Sequence, residues 1–299
     1  MREPRLLSFW GGGTDILGLN ARNLQYVHAL NPRRFFPLAD DKIRTKAVLS
    51  KAGVPHPKTM AVFANLAEIS RARPALTSAG EFVVKPARGR RGSGILVIAR
   101  ADEDGFHSPG GDSMSWMSLR RAMGDILFGV HSVGHDDRVL VEQRVHPDPD
   151  LGGLSTCGLP DVRVLLLHQA PVMAMMRVPT RASGGRANLH QGAPGIAIRL
   201  DDGHAFRCLA SGEPLTHHPD TSAPMVGFDV PRWPDILHAA RRAAASLPLP
   251  YLGVDIVVDR NAGPLVMEVN VRPGLEIQNI NGAGLRARLA AIRCDEEPA

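Results

Sequence analysis

Gly253-Val-Asp255-Ile-Val-Val-Asp259-Arg-Asn-Ala-Gly263-Pro-Leu-Val-Met-Glu268-Val-Asn270 is the stretch that decides how this 299-residue chain is read. Two apolar, β-branched runs flank a turn signal at 260–263, the pattern of a β-hairpin. Closing the strands at that turn places Asp259 opposite Pro264 and, stepping back, Asp255 opposite Glu268. Residues two apart share a face of a strand, so Asn270 joins the two carboxylates. Ile256, Val258, Leu265, Met267 and Val269 then form the core side. Carboxylates facing each other across a strand pair repel, which calls for positive charge between them. Two carboxylates and an amide oxygen are hard donors suited to Mg²⁺ held together with nucleotide phosphates. The competing reading is a solvated polar sheet face.

Upstream segments carry matching chemistry. Lys85 ends the apolar run Phe-Val-Val-Lys, where a buried stem implies that the residue is kept for its charge; snorkelling to the surface is the alternative. Arg88-Gly89-Arg90-Arg91-Gly92-Ser93-Gly94 follows as a Gly-rich loop leading into a strand. Glycines let backbone N–H groups approach phosphate oxygens, and the arginines add charge. The strand–loop–strand order differs from a Walker or dinucleotide site, and no GxxxxGK[ST] is present. Gly11–Gly13 is a weaker phosphate signal, since no clear strand precedes it. Glu142 ends the run Val-Leu-Val-Glu, where it and the neighbouring backbone of Gln143, Arg144 and Val145 suit the amine edge of adenine. Asp148 and Asp150, in a Pro-Asp turn, suit ribose hydroxyls or simply the turn.

The remaining chain supplies a frame of mixed elements. Helices are expected at 16–30 with Thr14 or Asp15 as cap, after Asp40/Asp41 and stopping at Gly53, and at 66–73, 119–129, 235–246 and 284–292. Strands are expected at 82–85, 95–99, 139–142, 162–167, 172–178, 252–259 and 264–270. Residues 101–118 read as a mobile polar loop, 147–153 as a turn and 180–195 as a Gly-rich loop. Strands and helices alternate irregularly, which indicates α+β rather than a doubly wound sheet.

Composition narrows the function classes. The chain is 44% apolar and 22% charged with net charge +5, which is ordinary globular composition rather than disorder. No apolar run approaches membrane-spanning length, and the N-terminus lacks a secretory apolar stretch. Cys157, Cys208 and Cys294 match neither zinc spacing nor a disulfide framework. A reducing cytoplasm is expected. Aromatic residues are 5% of the chain, too few for convincing nucleic-acid stacking platforms, so the basic excess suits an anionic small molecule or a plain solvated surface.

Taken in order, the pieces resemble the ATP-grasp superfamily. They are the Asp-Lys-headed helix with AGVPHPKT, the strand FVVKP, the hairpin GRRGSG, VLVEQRV, the loop GRANLHQG at 185–192, and GVDIVVD with LVMEVNVRPGLEIQNING. The last motifs resemble RimK-type ligases. LGLNARN, NPRR and the ending NVRPGLEIQNINGAGLRARL resemble α-L-glutamate ligase-like proteins. The resemblance covers about 15–292 and implies two α+β subdomains clasping ATP. Its boundaries are 1–40 as a short helical region, 41–140 with the phosphate loop, and 141–299 with the hinge and metal site. It implies ATP with Mg²⁺, two ions being usual and Mn²⁺ an alternative.

By position it implies Lys42 and Lys85 as phosphate contacts, and Arg88, Gly89, Gly92, Ser93 and Gly94 as the closing loop. Glu142, Gln143, Arg144 and Val145 become the adenine hinge, with Asp148 or Asp150 at the ribose. Asp255, Glu268 and Asn270 become the metal ligands, Arg163, Arg177 and Asn188 surround the γ-phosphate and acyl phosphate, and Arg272 orients an acceptor carboxylate. His190 is expected to contact loop or phosphate rather than act as a base. The implied reaction is ATP-dependent carboxylate–amine ligation, adding glutamate or another amino acid to a peptide or small acceptor. Carboxylate–thiol ligation, phosphoryl transfer and a non-catalytic nucleotide-binding role are the alternatives. Only about 40 residues precede Asp41-Lys42, where relatives carry a whole α/β domain; a homodimer would supply the missing wall.

Overall fold

The computed structural model describes residues 15–89, 92–154 and 158–294. Gly11–Gly13, Thr14, Arg90, Arg91 and Cys157 lie outside the described residues, as does the side chain of Cys294. Two antiparallel sheets carry the architecture, as an α+β fold requires. The first begins with β1 (Thr59–Phe63), β2 (Phe82–Pro86) and β3 (Leu96–Ile98). A small sheet follows, made of β4 (Arg100–Ala101), β5 (Phe106–His107) and β6 (Ser113–Met114). β7 (Val139–Glu142) then returns between β1 and β2, giving the order β1-β7-β2-β3.

The second sheet contains β8 (Asp161–Leu167), β9 (Ala170–Arg177), β10 (Gly195–Ile198), β11 (Ala205–Ala210), β12 (Glu213–Pro214), β13 (Tyr251–Asp259) and β14 (Gly263–Asn270). Its order is β12-β11-β10-β9-β8-β13-β14, which puts the decisive hairpin at one edge beside β8.

Each sheet has its own core. Phe82, Val84, Val139 and Val141 pack under the helix Trp116–Leu127 through Leu119, Met123 and Ile126. The opposite faces of β2 and β7 carry Lys85 and Glu142, as strand alternation demands. The larger core gathers Val164, Leu166, Val254, Ile256 and Val258 against the helix Trp233–Ala245, whose Ile236, Ala240 and Ala243 are buried. The helix Lys42–Lys51 packs on this second core through Leu49 and is capped by Asp41, whose carboxylate accepts from the N–H groups of Ile43 and Arg44.

Several local expectations change. Residues 101–118 are ordered as the small sheet and the start of a helix, because Phe106 packs edge-on against Phe82 at 6.1 Å and lies equally close to Trp116. The segment 16–30 is a short helix, Leu19–Arg22, that widens into a π-helical stretch, Asn23–His28. The 66–73 helix is two, Leu66–Arg71 and Arg73–Ala79, and the turn at 147–153 is the 3₁₀ helix Pro149–Leu154. β10 to β12 and the helix Glu276–Asn281 were not expected.

The hairpin closes one residue tighter than its turn signal suggests. Asp259 faces Gly263, Val258 faces Pro264 and Ile256 faces Val266. Gly263 has φ +75°, the left-handed residue that ends a three-residue hairpin loop. A bulge at Met267 then absorbs one extra residue and restores the expected Asp255–Glu268 pair. The faces change accordingly. Val266 and Val269 enter the core, while Leu265 and Met267 turn to the other side beside Val257 and Val145.

Candidate active site

Period two on β8 and β13 puts Asp161, Arg163 and Asp255 on one side of the second sheet, next to Arg177 at the end of β9. Asp255 faces Arg163 in register, and Asp161 faces Arg177. Arg163 grips Asp255 in bidentate fashion, Nε to Oδ1 and Nη2 to Oδ2, both at 2.7 Å. Arg177 donates through Nη2 to Asp255 Oδ2 at 2.8 Å and grips Asp161 with Nε and Nη2 at 2.6 Å. Asn270 Nδ2 adds a fourth bond to Asp255, at 3.0 Å.

The electrostatics follow from this geometry. Burial alone would raise the Asp255 carboxyl, but the Arg163 and Arg177 charges overcome it and hold that carboxyl well below the usual range. Asp161 goes the other way. Burial pushes it up, Asp255 adds to the shift, and its attraction to Arg177 does not compensate, leaving it at about 6. Arg177, flanked by both carboxylates, stays charged despite burial.

A second cluster hangs from the helix Lys42–Lys51. Lys42 Nζ donates to the Gly89 carbonyl at 2.9 Å and lies 3.3 Å from Glu268, linking the Gly-rich loop to the hairpin. One turn on, Lys46 meets Glu142 Oε1 at 2.7 Å while Lys85 meets Oε2 at 2.6 Å. Burial would raise Glu142, yet the Lys85 and Lys46 charges hold it below its ordinary value. Three lysines thus face two carboxylates, a surplus of positive charge suited to an anionic ligand.

The loop after Lys85 is built onto its surroundings. The Arg88 N–H donates to both Asp137 oxygens, at 3.0 and 3.1 Å, and its side chain approaches Asp41 at 3.5 Å. Gly92 and Gly94 have φ +73° and +75°. Ser93 Oγ bonds His131 Nδ1 at 2.9 Å. A Cβ at Gly94 would lie 2.5 Å from the His131 ring, and one at Gly92 would touch Arg186, 3.4 Å away.

The hinge residues divide. The Gln143 N–H donates to the Lys58 carbonyl, and its side chain is exposed. Arg144 donates to Glu81 at 3.2 Å, and Glu81 also bonds His146 at 2.8 Å. Val145 is buried against Val257 and Leu265, with Leu159 and Met267 alongside, an apolar floor that the bulge brings to the site face. Asp148 accepts from the Asp150 N–H and starts the 3₁₀ helix, on which Asp150 is exposed. Asn188 caps another 3₁₀ turn by accepting from the His190 N–H. The Arg272 guanidinium lies 4.7 Å over the Phe36 ring.

The donor set fits a hard divalent cation, since Glu268 is accessible and Asn270 keeps its carbonyl oxygen when its Nδ2 serves Asp255. Asp255 differs. Its Oδ2 is crowded by three N–H donors, whereas among the described residues Oδ1 accepts only from Arg163 Nε and keeps an acceptor position for a metal. Asp161, Lys46, Asp41 and Asp137 were missed. Asp161 lies two residues from Arg163 and Lys46 four from Lys42, so periodicity carried a signal for both; the other two show only through tertiary contacts. No helix among the described residues is long and apolar enough to cross a membrane.

Comparison with known proteins bears on the family and the fold. A curated "Probable alpha-L-glutamate ligase" of Maridesulfovibrio salexigens is 23% identical over 250 residues, 84% of this chain and 61% of that protein. The chain therefore spans about three fifths of that relative's length. Among solved structures, a biotin carboxylase from Campylobacter jejuni in a β-γ-ATP complex superposes with TM-score 0.57 at 14% identity, covering 95% of this chain and 55% of the other. D-alanyl-alanine synthetase A from Vibrio cholerae gives TM-score 0.51 at 14% identity, covering 86% and 64%. Residues 21–294 match the model of one family along almost the whole chain, and the protein belongs to the sugar-transfer associated ATP-grasp family.

Proposed function

We propose that the chain is an ATP-dependent carboxylate–amine ligase. The observation that carries this reading is Lys42, which joins the Gly-rich loop at Gly89 to the hairpin carboxylate Glu268 beside the Arg163–Asp255–Arg177 cluster. One anionic ligand laid along that line meets phosphate-loop amides, lysines and hard oxygen donors in turn.

In this reading the hinge around Glu142 to Val145 receives adenine on the floor of Leu265 and Met267, and Asp148 or Asp150 receives the ribose. Lys42, Lys85 and loop 88–94 hold the phosphates. Glu268, Asn270 and, through Oδ1, Asp255 would hold Mg²⁺, which when bound would supply Lewis-acid neutralisation of the phosphate charge. A substrate carboxylate oxygen attacks the γ-phosphorus, the bond to the β–γ bridging oxygen breaks, and ADP leaves. An amine then attacks the acyl carbon and phosphate departs, leaving an amide. The protein positions the reactants and spreads the developing charge over Arg163 and Arg177. An amino acid is the proposed carboxylate or amine partner, in keeping with the glutamate-ligase relative.

Hydroxylamine trapping tests the proposal. A ligase with its carboxylate and Mg-ATP yields hydroxamate and ADP. A stable phosphorylated product indicates phosphoryl transfer, and nucleotide binding without turnover across amino acids and peptides indicates a binding module.

A further inference from the structure

The helix Lys42–Lys51 carries positive charge on two sides. Lys42 and Lys46 lie four residues apart and share the side that meets Glu268 and Glu142. Arg44 lies two residues from each, close to half a helical turn away, and so projects from the opposite side. The Lys42 N–H donates to the Ala87 carbonyl at 2.9 Å, and the Ala87 N–H donates to the Arg138 carbonyl at 3.0 Å. These bonds seat the start of the helix against the paired ends of β2 and β7, where Pro86 faces Val139. Arg88 leaves that pair and Arg138 enters it.

Three guanidinium groups converge there on one oxygen, Asp41 Oδ2. Arg138 Nη2 lies 2.9 Å from it, Arg88 Nε 3.5 Å and Arg44 Nε 3.9 Å. Asp41 is buried, but the side chains of Arg138, Arg88 and Arg44 are 38%, 49% and 54% exposed, so their remaining N–H donors are open to a ligand. Asp41 Oδ1 is committed to the N–H groups of Ile43 and Arg44, which leaves anion recognition here to the side chains. Asp137, next to Arg138 in the chain, spends its oxygens on the N–H groups of Arg88 and Arg138 and on the Ser132 hydroxyl. No carboxylate other than Asp41 lies within ion-pair distance of the three guanidiniums among the described residues. Like charges held this close repel, and one carboxylate neutralises only one of three. A phosphate group matches the remainder, since it brings close to two negative charges and three strong acceptor oxygens. Guanidinium forks suit those oxygens in geometry as well as charge.

We propose that Arg44 and Arg138, joined by the Arg88 side chain, form a binding site for a phosphate dianion, free or esterified, on the side of the helix start turned away from Lys42 and Lys46. The site stands independently of the ligase reading.

Calorimetric titration of the full chain with inorganic phosphate, at ionic strength held constant with sodium chloride, tests it. A saturable binding step is expected, with affinity falling about tenfold in Arg44→Gln and about tenfold in Arg138→Gln. Lys42→Ala, on the other side of the helix, is expected to change it by less than about twofold. A urea melt of each variant checks that it is folded, and Arg44→Gln, at the most exposed of the three arginines, carries the test if Arg138→Gln is not. Glycerol 3-phosphate binding as tightly as inorganic phosphate supports an esterified ligand, and binding of inorganic phosphate alone supports the free anion. Absence of saturable binding overturns the proposal, as does unchanged affinity in Arg44→Gln. A loss in Lys42→Ala as large as in the arginine variants overturns it too, because the phosphate then sits among the lysines. Binding of Mg-AMP-PNP, measured without phosphate, tests the nucleotide reading and leaves this site untouched.

Discussion

Glu268 has 38% of its side chain exposed and an ion pair to Lys42, whereas Asp255, its partner across the hairpin, is buried under four donors. The two carboxylates therefore answer mutation differently. Glu268→Ala removes an accessible donor and a screened ion pair, so stability moves by less than about 0.5 kcal/mol. ATP turnover is lost, and a coupled ADP assay alongside a urea melt separates the two effects; a fully active variant would refute the metal assignment.

Asp161 offers a pH signature. Its folded value is raised to about 6 from 3.8, so the stability tied to its neutral form is complete below 3.8 and disappears as pH climbs through about 6. Asp161→Asn lacks that loss. The stability of Asp161→Asn minus that of the wild type is expected to increase between about pH 4 and pH 6 in denaturant titrations, and a flat difference would contradict the assignment.

At the scale of elements, the Gly-rich loop proposed to hold phosphates depends on the segment behind it. Asp137 accepts twice from Arg88 N–H and also from Ser132, while His131 holds Ser93. Asp137→Ala frees the loop's first residue at a cost of one or two charge-assisted bonds. KM for ATP is expected to rise about tenfold with a smaller change in kcat, since the loop binds ground state and transition state alike. In the wild type, Mg-ATP is expected to slow amide exchange across residues 88–94; equal exchange with and without nucleotide would remove the loop from the site.

Across the whole molecule, the helix Lys42–Lys51 ties one sheet to the other. Its Leu49 belongs to the core of the seven-stranded sheet, while Lys46 reaches Glu142 on the four-stranded one. Glu142→Gln leaves Lys46 and Lys85 with no carboxylate and is expected to cost about 3–5 kcal/mol. Exchange should show β1, β2 and β7 opening before β8, β9 and β13. Glu142 is depressed below its ordinary 4.5, so the stability it supplies is present above that pH and lost as pH falls through its folded value. A Glu142→Gln melt that converges on the wild type in acid would bear this out.

The amino-acid order alone determined the mixed α+β class, the decisive hairpin and the ordered set of nucleotide motifs, because strand alternation, turn residues and loop glycines are local properties. Asp255 opposite Glu268 was reached from a register one residue off, so that expectation matched the structure through two compensating offsets. Only the tertiary structure decided that a bulge at Met267 restores that pair and turns Leu265 and Met267 from the core toward the hinge. Only it decided that Asp255 is held by arginines from two other strands, and that Glu142 bridges two lysines 39 positions apart on different elements. These contacts join residues far apart in the chain, and local periodicity carries no information about which distant charge will fill a buried acceptor.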